Sequence, residues 1–393
     1  MTNYFERARA LGGWIAGQRR LFHENPELGF ELPLTTAHIM ETLRELQIAC
    51  SALPEGGILA ELGSGGPPRV LLRADMDALP MTECSGEAFS SRIPGRMHAC
   101  GHDAHMAMIL GAAALLKRRE GELRGTVVLC FQPAEEIMQG AKTVLPRLDP
   151  MPDFGFALHI FPTETEQDGS IACPQGAYMS SCDVFRVTVR GVSAHGSAPH
   201  AGNNPLYPAM EMALAFSRLT AQTLDSRETG VLSVCQFQGG SAHNVIPDCC
   251  VFRGTLRMMR EPERRRMLSR MERIVTGIAA AHGVEGALEF ENSVPGLFND
   301  EELAEKAQAW LRAAGGDCVG PLERRKNMVS EDFAEFGAHM PVVMFELLSR
   351  PPDGVFHPGH NPCVRFSDGA LWRGAAAYAQ VAENYLEAFG RGK

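Results

Sequence analysis

The sequence predicts an α/β fold in which a discontinuous main domain, built on a mixed or parallel sheet with helices, is interrupted by a smaller βαββαβ domain. Two observations carry that expectation. Four apolar runs, at 70–73, 126–131, 154–158 and 342–348, stop abruptly at polar residues, the pattern of strands buried on both faces. The middle of the chain has a different rhythm, in which short alternating runs flank two helical stretches.

The ends of the four runs are informative. Asp75 and Asp77 follow the first, Glu135 and Glu136 the second, His159 the third, and His357 lies a loop beyond the fourth. In open α/β sheets the ligand crevice lies beyond the carboxyl ends of the strands, so acids and imidazoles gathered there mark where a site belongs. A helical pattern over 103–119 carries apolar residues at Met106, Ile109, Leu110, Ala113 and Leu116. The middle reads strand 184–189, helix 206–219, strand 231–237, strand 250–258, helix 262–282 and strand 287–291. That order is the split βαβ, ferredoxin-like unit. The expected domains are therefore 1–181 and 293–393 as two parts of one body, with 182–292 inserted. The run GSGGPP at 63–68 is read as a turn, since it lacks the spacing of a phosphate loop.

Length and composition narrow the function. At about 100–200 residues per domain, 393 residues suggest two or three domains. The 47 acidic against 37 basic residues leave a net charge of −10, and no basic block exceeds Arg264–Arg266, which speaks against a nucleic-acid partner. No apolar stretch approaches the roughly 20 residues that cross a bilayer, so no membrane partner is expected. The N-terminus lacks the apolar run of a signal peptide, and a cytoplasmic location is expected. Eleven scattered cysteines read as reduced and mostly buried.

The densest chemistry is MHACGHDAH at 97–105, where Cys100 and His102 can point at one ion. Thiolate with imidazole selects zinc or a similar borderline metal over magnesium or calcium. Glu135 and Glu136 close the segment CFQPAEE; on an extended backbone, one carboxylate would face a metal and its neighbour the open side of the site. His159 ends a strand. His357 and His360, in VFHPGHNP, lie in a Pro/Gly-rich turn, and either can serve as a ligand or stand exposed.

Several motifs resemble one family. RADMDALP at 73–80, MHACGHDAHM at 97–106, FQPAEE at 131–136, ALHI at 157–160, SAHGSAPHAGNNP at 193–205, GGSAHNVIPD at 239–248 and SEDF at 330–333 follow in order, and HENPELGFE at 23–31 fits as well. The series is similar to the metal-dependent N-acyl-amino-acid amidohydrolases, which include hippurate hydrolases, aminoacylases and the plant auxin-conjugate hydrolases. The resemblance covers nearly the whole chain.

It implies a catalytic domain holding two divalent ions per subunit (zinc, manganese, cobalt or nickel), interrupted by a lid or dimerisation domain. Carried over, the metal ligands fall on Cys100, His102, Glu136, His159 and His357, with Glu135 as catalytic base; because a thiolate, like a carboxylate, can bridge two ions, bridging is expected of Cys100. His360 competes with His357. His195, Asn244 and Arg257 match lid residues that contact substrate, the histidine often acting from a partner subunit. Asp75 and Asp103 are expected to orient histidine ligands, while His105 and His200 stay unassigned. Ile137, Met138 and Gln139 replace a glycine run usual in relatives, and His243 stands where an aromatic is common. The implied function is hydrolysis of N-acyl or N-aroyl amino acids by a homodimer or higher homo-oligomer assembled through the inserted domain. The alternatives are a dipeptidase or carboxypeptidase-like enzyme, and a noncatalytic metal or small-molecule binding protein.

Overall fold

The computed structural model describes residues 2–351 and 353–390. The chain divides into two compact units, Met1–Gly176 with Phe298–Arg325 and Asp332–Lys393, and Ala177–Leu297 with Lys326–Glu331. The second is wider than the expected 182–292 and takes in a short return of the chain at 326–331, six residues with no strand or helix pattern to betray them.

An eight-stranded mixed sheet organises the first unit. Its order is Cys50–Ala52, Ile58–Gly63, Thr126–Gln132, Arg69–Asp75, Phe154–Pro162, Val342–Ser349, Ser170–Pro174 and Val319–Glu323. The four strands read from the sequence are its centre and run parallel to one another. Arg69–Asp75, Thr126–Gln132 and Val342–Ser349 are buried along their whole length, so both faces are covered. The third strand extends to Pro162, which places His159 within it.

Helix His102–Lys117 is buried almost throughout. It packs on strand Arg69–Asp75 and on helix Leu371–Phe389. Gly111 permits that approach, since a Cβ there would stand 2.8 Å from both Ala375 Cβ and Ile15 Cδ1. The Tyr378 hydroxyl accepts the Leu158 N–H at 2.9 Å and donates to the Arg73 carbonyl at 2.8 Å, joining two neighbouring strands next to the site.

The second unit carries Cys182–Arg190, helix Leu206–Thr223, Gly230–Gly239, Cys249–Met258, helix Glu261–His282 and Glu285–Val294. The four strands pair antiparallel, with Gly230–Gly239 and Glu285–Val294 at the edges and Cys249–Met258 beside Cys182–Arg190 in the centre. This is the βαββαβ order with its own core of Phe185, Phe216, Phe252 and Met271. No described helix is long and apolar enough to cross a membrane.

The cysteines depart from expectation. All eleven are free thiols, but only Cys130, Cys173, Cys182 and Cys250 are buried, while Cys84 and Cys235 are exposed. The buried four lie in strands; Cys84 lies in an irregular segment outside the sheet.

Candidate metal centre

The site sits at the carboxyl ends of the central strands of the first unit. Gly101 caps helix His102–Lys117 at φ 94°, and a Cβ there would fall 2.3 Å from Ile160 Cγ2, so only glycine lets Cys100 and His102 turn inward side by side. His102 donates its Nδ1 proton to the Asp77 carbonyl at 2.7 Å. Its Nε2 is therefore the nitrogen turned to the site. It is buried without a hydrogen-bond partner, 3.6 Å from Asp75 Oδ2 and 3.8 Å from both Glu135 Oε2 and Glu136 Oε1. His159 likewise donates Nδ1 to the Ile160 carbonyl at 2.7 Å and turns Nε2 to Cys100 Sγ at 3.4 Å.

The two glutamates do not lie on extended backbone. The strand ends at Gln132, Ala134 takes φ 56°, and 135–138 form a turn closed by the Met138 N–H on the Glu135 carbonyl at 2.7 Å. Asp77 fixes this turn: its carboxylate accepts the Glu135 N–H at 2.9 Å and the Glu136 N–H at 3.2 Å. Both carboxylates consequently approach His102, where opposite directions were expected. Asp77 was named in the sequence only as a strand-end acid; the paired acids of RADMD were the available signal for its role.

Two groups of ligand atoms, each within 4.8 Å of one another, share the Cys100 thiol: Cys100 with His102 and His159, and Cys100 with Glu136 and His360. His360 Nε2 lies 3.6 Å from Glu136 Oε2. His357, the expected ligand, enters no such group among the described residues. The physical reason is a long-range bond, since His360 donates its N–H to the Ala99 carbonyl at 3.0 Å and takes φ 61°, which holds it against the Cys100 segment.

A third grouping, Asp75 with His102 and His105, has its atoms engaged already. His105 donates Nδ1 to Asp75 Oδ1 at 2.6 Å and accepts the Ile160 N–H on Nε2 at 2.8 Å; Asp75 Oδ2 takes Arg73 at 2.8 Å. His105 is thereby held at both ring nitrogens. Asp75 thus braces His105, and Asp103 binds Arg19 Nε at 2.9 Å and His23 Nδ1 at 2.8 Å, so neither acid holds the nearby His102 by a hydrogen bond as expected. His98 is fully buried with neither ring nitrogen partnered, and burial pushes it down to about 3.

The electrostatics ask for a cation. Burial, with Asp77 and Asp75 adding to it against His102, pushes Glu136 up to about 7. Burial and Glu136 push the Cys100 thiol up, and burial with His105 pushes His159 down. Glu136 Oε1 and His102 Nε2 are both orphaned. One thiolate, imidazoles and a carboxylate suit a borderline divalent ion, which would reverse the cost of charging these groups.

In the second unit, His195 and Asn244 share a two-stranded ribbon. His195 pairs with Val245, and the Gly196 N–H donates to the Asn244 carbonyl at 2.8 Å. Both residues are exposed. Arg257 is half-buried near the end of strand Cys249–Met258 and donates to the Met328 carbonyl at 3.1 Å and Ser330 Oγ at 2.9 Å. The eight residue steps from Cys249 to Arg257 span about 27 Å, and the ribbon strand Val245–Ile246 leads into the Cys249 end, so Arg257 stands at the opposite end of that strand.

Residues 71–384 match the sequence pattern of Peptidase family M20/M25/M40. The chain belongs to that family. It is 34% identical over 382 residues to thermostable carboxypeptidase 2 of Saccharolobus solfataricus, covering 95% of this chain and 96% of the relative. It is 33% identical over 387 residues to IAA-amino acid hydrolase ILR1-like 4 of Arabidopsis thaliana, covering 95% of this chain and 86% of that one. Among solved structures, the Bacillus subtilis YXEP protein, a dinuclear metal-binding peptidase of the M20 family, superposes with a TM-score of 0.82 at 30% identity over 96% of this chain and 99% of that one. This M20 chain is thus a metal-dependent hydrolase, and the noncatalytic alternative falls.

Proposed function

We propose that this M20 hydrolase cleaves the amide bond of small N-acyl or N-aroyl amino acids, releasing a carboxylic acid and an amino acid. The observation that carries the reading is the pair of ligand groups sharing Cys100 Sγ, with Glu135 beside them. Cys100, His102 and His159 would hold one divalent ion, and Cys100, Glu136 and His360 a second, since both groups include the Cys100 thiol. When bound, the ions supply Lewis acidity that lowers the pKa of water and polarises the acyl carbonyl.

Glu135 takes the proton from the attacking water and delivers it to the leaving nitrogen, because an amide nitrogen departs only once protonated. Its turn, pinned by Asp77, keeps the carboxylate in place during both transfers. Arg257 receives the carboxylate of the amino-acid half, a bidentate partner in an acidic protein. His195 and Asn244 steady the oxyanion of a neighbouring copy. Support for that arrangement is the strand of about 27 Å from Cys249 to Arg257: the ribbon residue Ile246 precedes its Cys249 end in the chain, and Arg257 lies near the other, too far apart for one amino-acid-sized substrate to touch both. A homodimer through the inserted unit follows. A cytoplasmic location belongs to the same reading, supported by eleven cysteines all free.

A carboxypeptidase or dipeptidase activity is the second reading, favoured by the Saccharolobus solfataricus relative. A panel of N-acetyl, N-benzoyl and dipeptide substrates, assayed with chelator and with added zinc, manganese, cobalt or nickel, separates the two. Turnover of acylated amino acids that a chelator abolishes supports the first reading; turnover confined to substrates with a free α-amino group overturns it.

A further inference from the structure

The sulfur atoms of Cys84 and Cys363 lie 2.8 Å apart, although 279 positions separate them in the chain. Neither thiol belongs to the ligand groups of the metal centre. Their backbones meet independently of the sulfurs, since the Cys84 N–H donates to the Pro362 carbonyl at 2.8 Å. The Cys84 side is anchored elsewhere and the Cys363 side by its own turn. Glu83 is held by His23 Nε2 at 3.2 Å and accepts the Ser91 N–H at 2.6 Å. Cys363 donates its N–H to Asn361 Oδ1 at 2.9 Å. Cys84 is exposed, so a small oxidant reaches it without opening the fold.

We propose that Cys84 and Cys363 form a reversible disulfide in response to a peroxide, a modification site separate from the metal centre. The Cys84 thiol gives up its proton and the thiolate attacks one peroxide oxygen; the O–O bond breaks, and the departing hydroxide takes up that proton as water, leaving a sulfenic acid. Cys363 then attacks the Cys84 sulfur, the S–O bond breaks, and hydroxide leaves with a proton as a second water. Two thiols and one hydrogen peroxide thus yield one disulfide and two waters, with two electrons passing from sulfur to oxygen.

The new bond lies three residues beyond His360. On the proposed reading of His360 as a ligand, closure draws the turn that carries it toward Cys84 as the sulfurs close from 2.8 Å to a bond of about 2.0 Å. Small displacements of a catalytic group cost large factors in rate.

The test uses metal-loaded protein, treated with hydrogen peroxide, alkylated with N-ethylmaleimide and digested without reductant. A Cys84–Cys363 cross-linked peptide, lighter by two hydrogens than its parts and abolished by dithiothreitol, is the expected result. Both thiols recovered alkylated, or Cys84 recovered only as sulfinic acid, overturns the proposal. Turnover is expected to drop several-fold on oxidation, to return with dithiothreitol, and to resist peroxide in Cys84→Ser. Equal loss in Cys84→Ser assigns the inhibition to another thiol and overturns the coupling. A His360→Ala protein that keeps its metal and turnover removes the ligand reading alone, and the peptide map then decides the disulfide by itself.

Discussion

The main-chain carbonyl of Asp77 accepts the Nδ1 proton of His102 across 2.7 Å, and this contact decides which imidazole nitrogen faces the site. The same residue's carboxylate caps the N–H groups of Glu135 and Glu136. Asp77→Ala leaves those two N–H groups without their acceptor, at about 1–3 kcal/mol for each buried one. We expect a lower melting temperature and a loss of metal affinity of roughly 10–100-fold, the usual effect of removing a group that orients ligands. Calorimetric titration with zinc reads it; unchanged affinity would show that the turn holds without the acid.

His360 and His357 make a paired prediction. His360→Ala should lose about one of two bound ions and nearly all turnover, while His357→Ala keeps both ions. Metal content by plasma mass spectrometry decides between them, and the reverse pattern would return the ligand role to His357.

Glu135→Gln preserves shape and the hydrogen bond from its N–H to Asp77 but removes the base. General acid–base transfer contributes roughly 10²–10⁴-fold, so kcat should fall by that order with metal content unchanged. Full activity in the metal-replete variant would take Glu135 out of proton transfer.

The buried pair His23 and Asp103 gives the fold a pH dependence. Burial opposes charge on His23, but Asp103 and Glu83 win and raise it from 6.5 to about 9. Glu83, despite burial, is lowered from 4.5 to about 2 by His23, Ser85 and Ser91. A raised histidine stabilises fully below its unfolded value, so this contribution holds below pH 6.5 and fades as pH rises through 9. The Glu83 contribution is complete above pH 4.5 and lost as pH falls through 2. The melting temperature of wild type minus that of His23→Gln should therefore be largest between pH 4.5 and 6.5 and shrink on the alkaline side. A difference independent of pH up to 10 would mean that His23 acts only by packing.

The buried centre of the fold was legible because strands covered on both faces must be continuous apolar runs. The edges were not. Cys50–Ala52 is three residues long and Val319–Glu323 contains a proline, so neither rises above loop composition, and Ile58–Gly63 is a single six-residue run ending in glycine, too short to stand out from its turns. At the site, Cys100, His102, Glu135, Glu136 and His159 come together as a cluster read from strand ends and one dense motif. His357 and His360 share the same turn chemistry, and the choice between them rests on a bond to Ala99 some 260 residues earlier, which no local pattern encodes. The glutamate turn escaped for the same reason, being set by Asp77, two residues past the end of strand Arg69–Asp75.

Cys100 takes part in both ligand groups with a single sulfur. On the proposed reading, that thiol gives up one proton for two ions. The first ion to arrive bears the whole cost of ionising a buried thiol, and the second meets a thiolate already made. Loading should therefore be cooperative, with half-filled protein scarce, and a chelator should empty the centre in one stage.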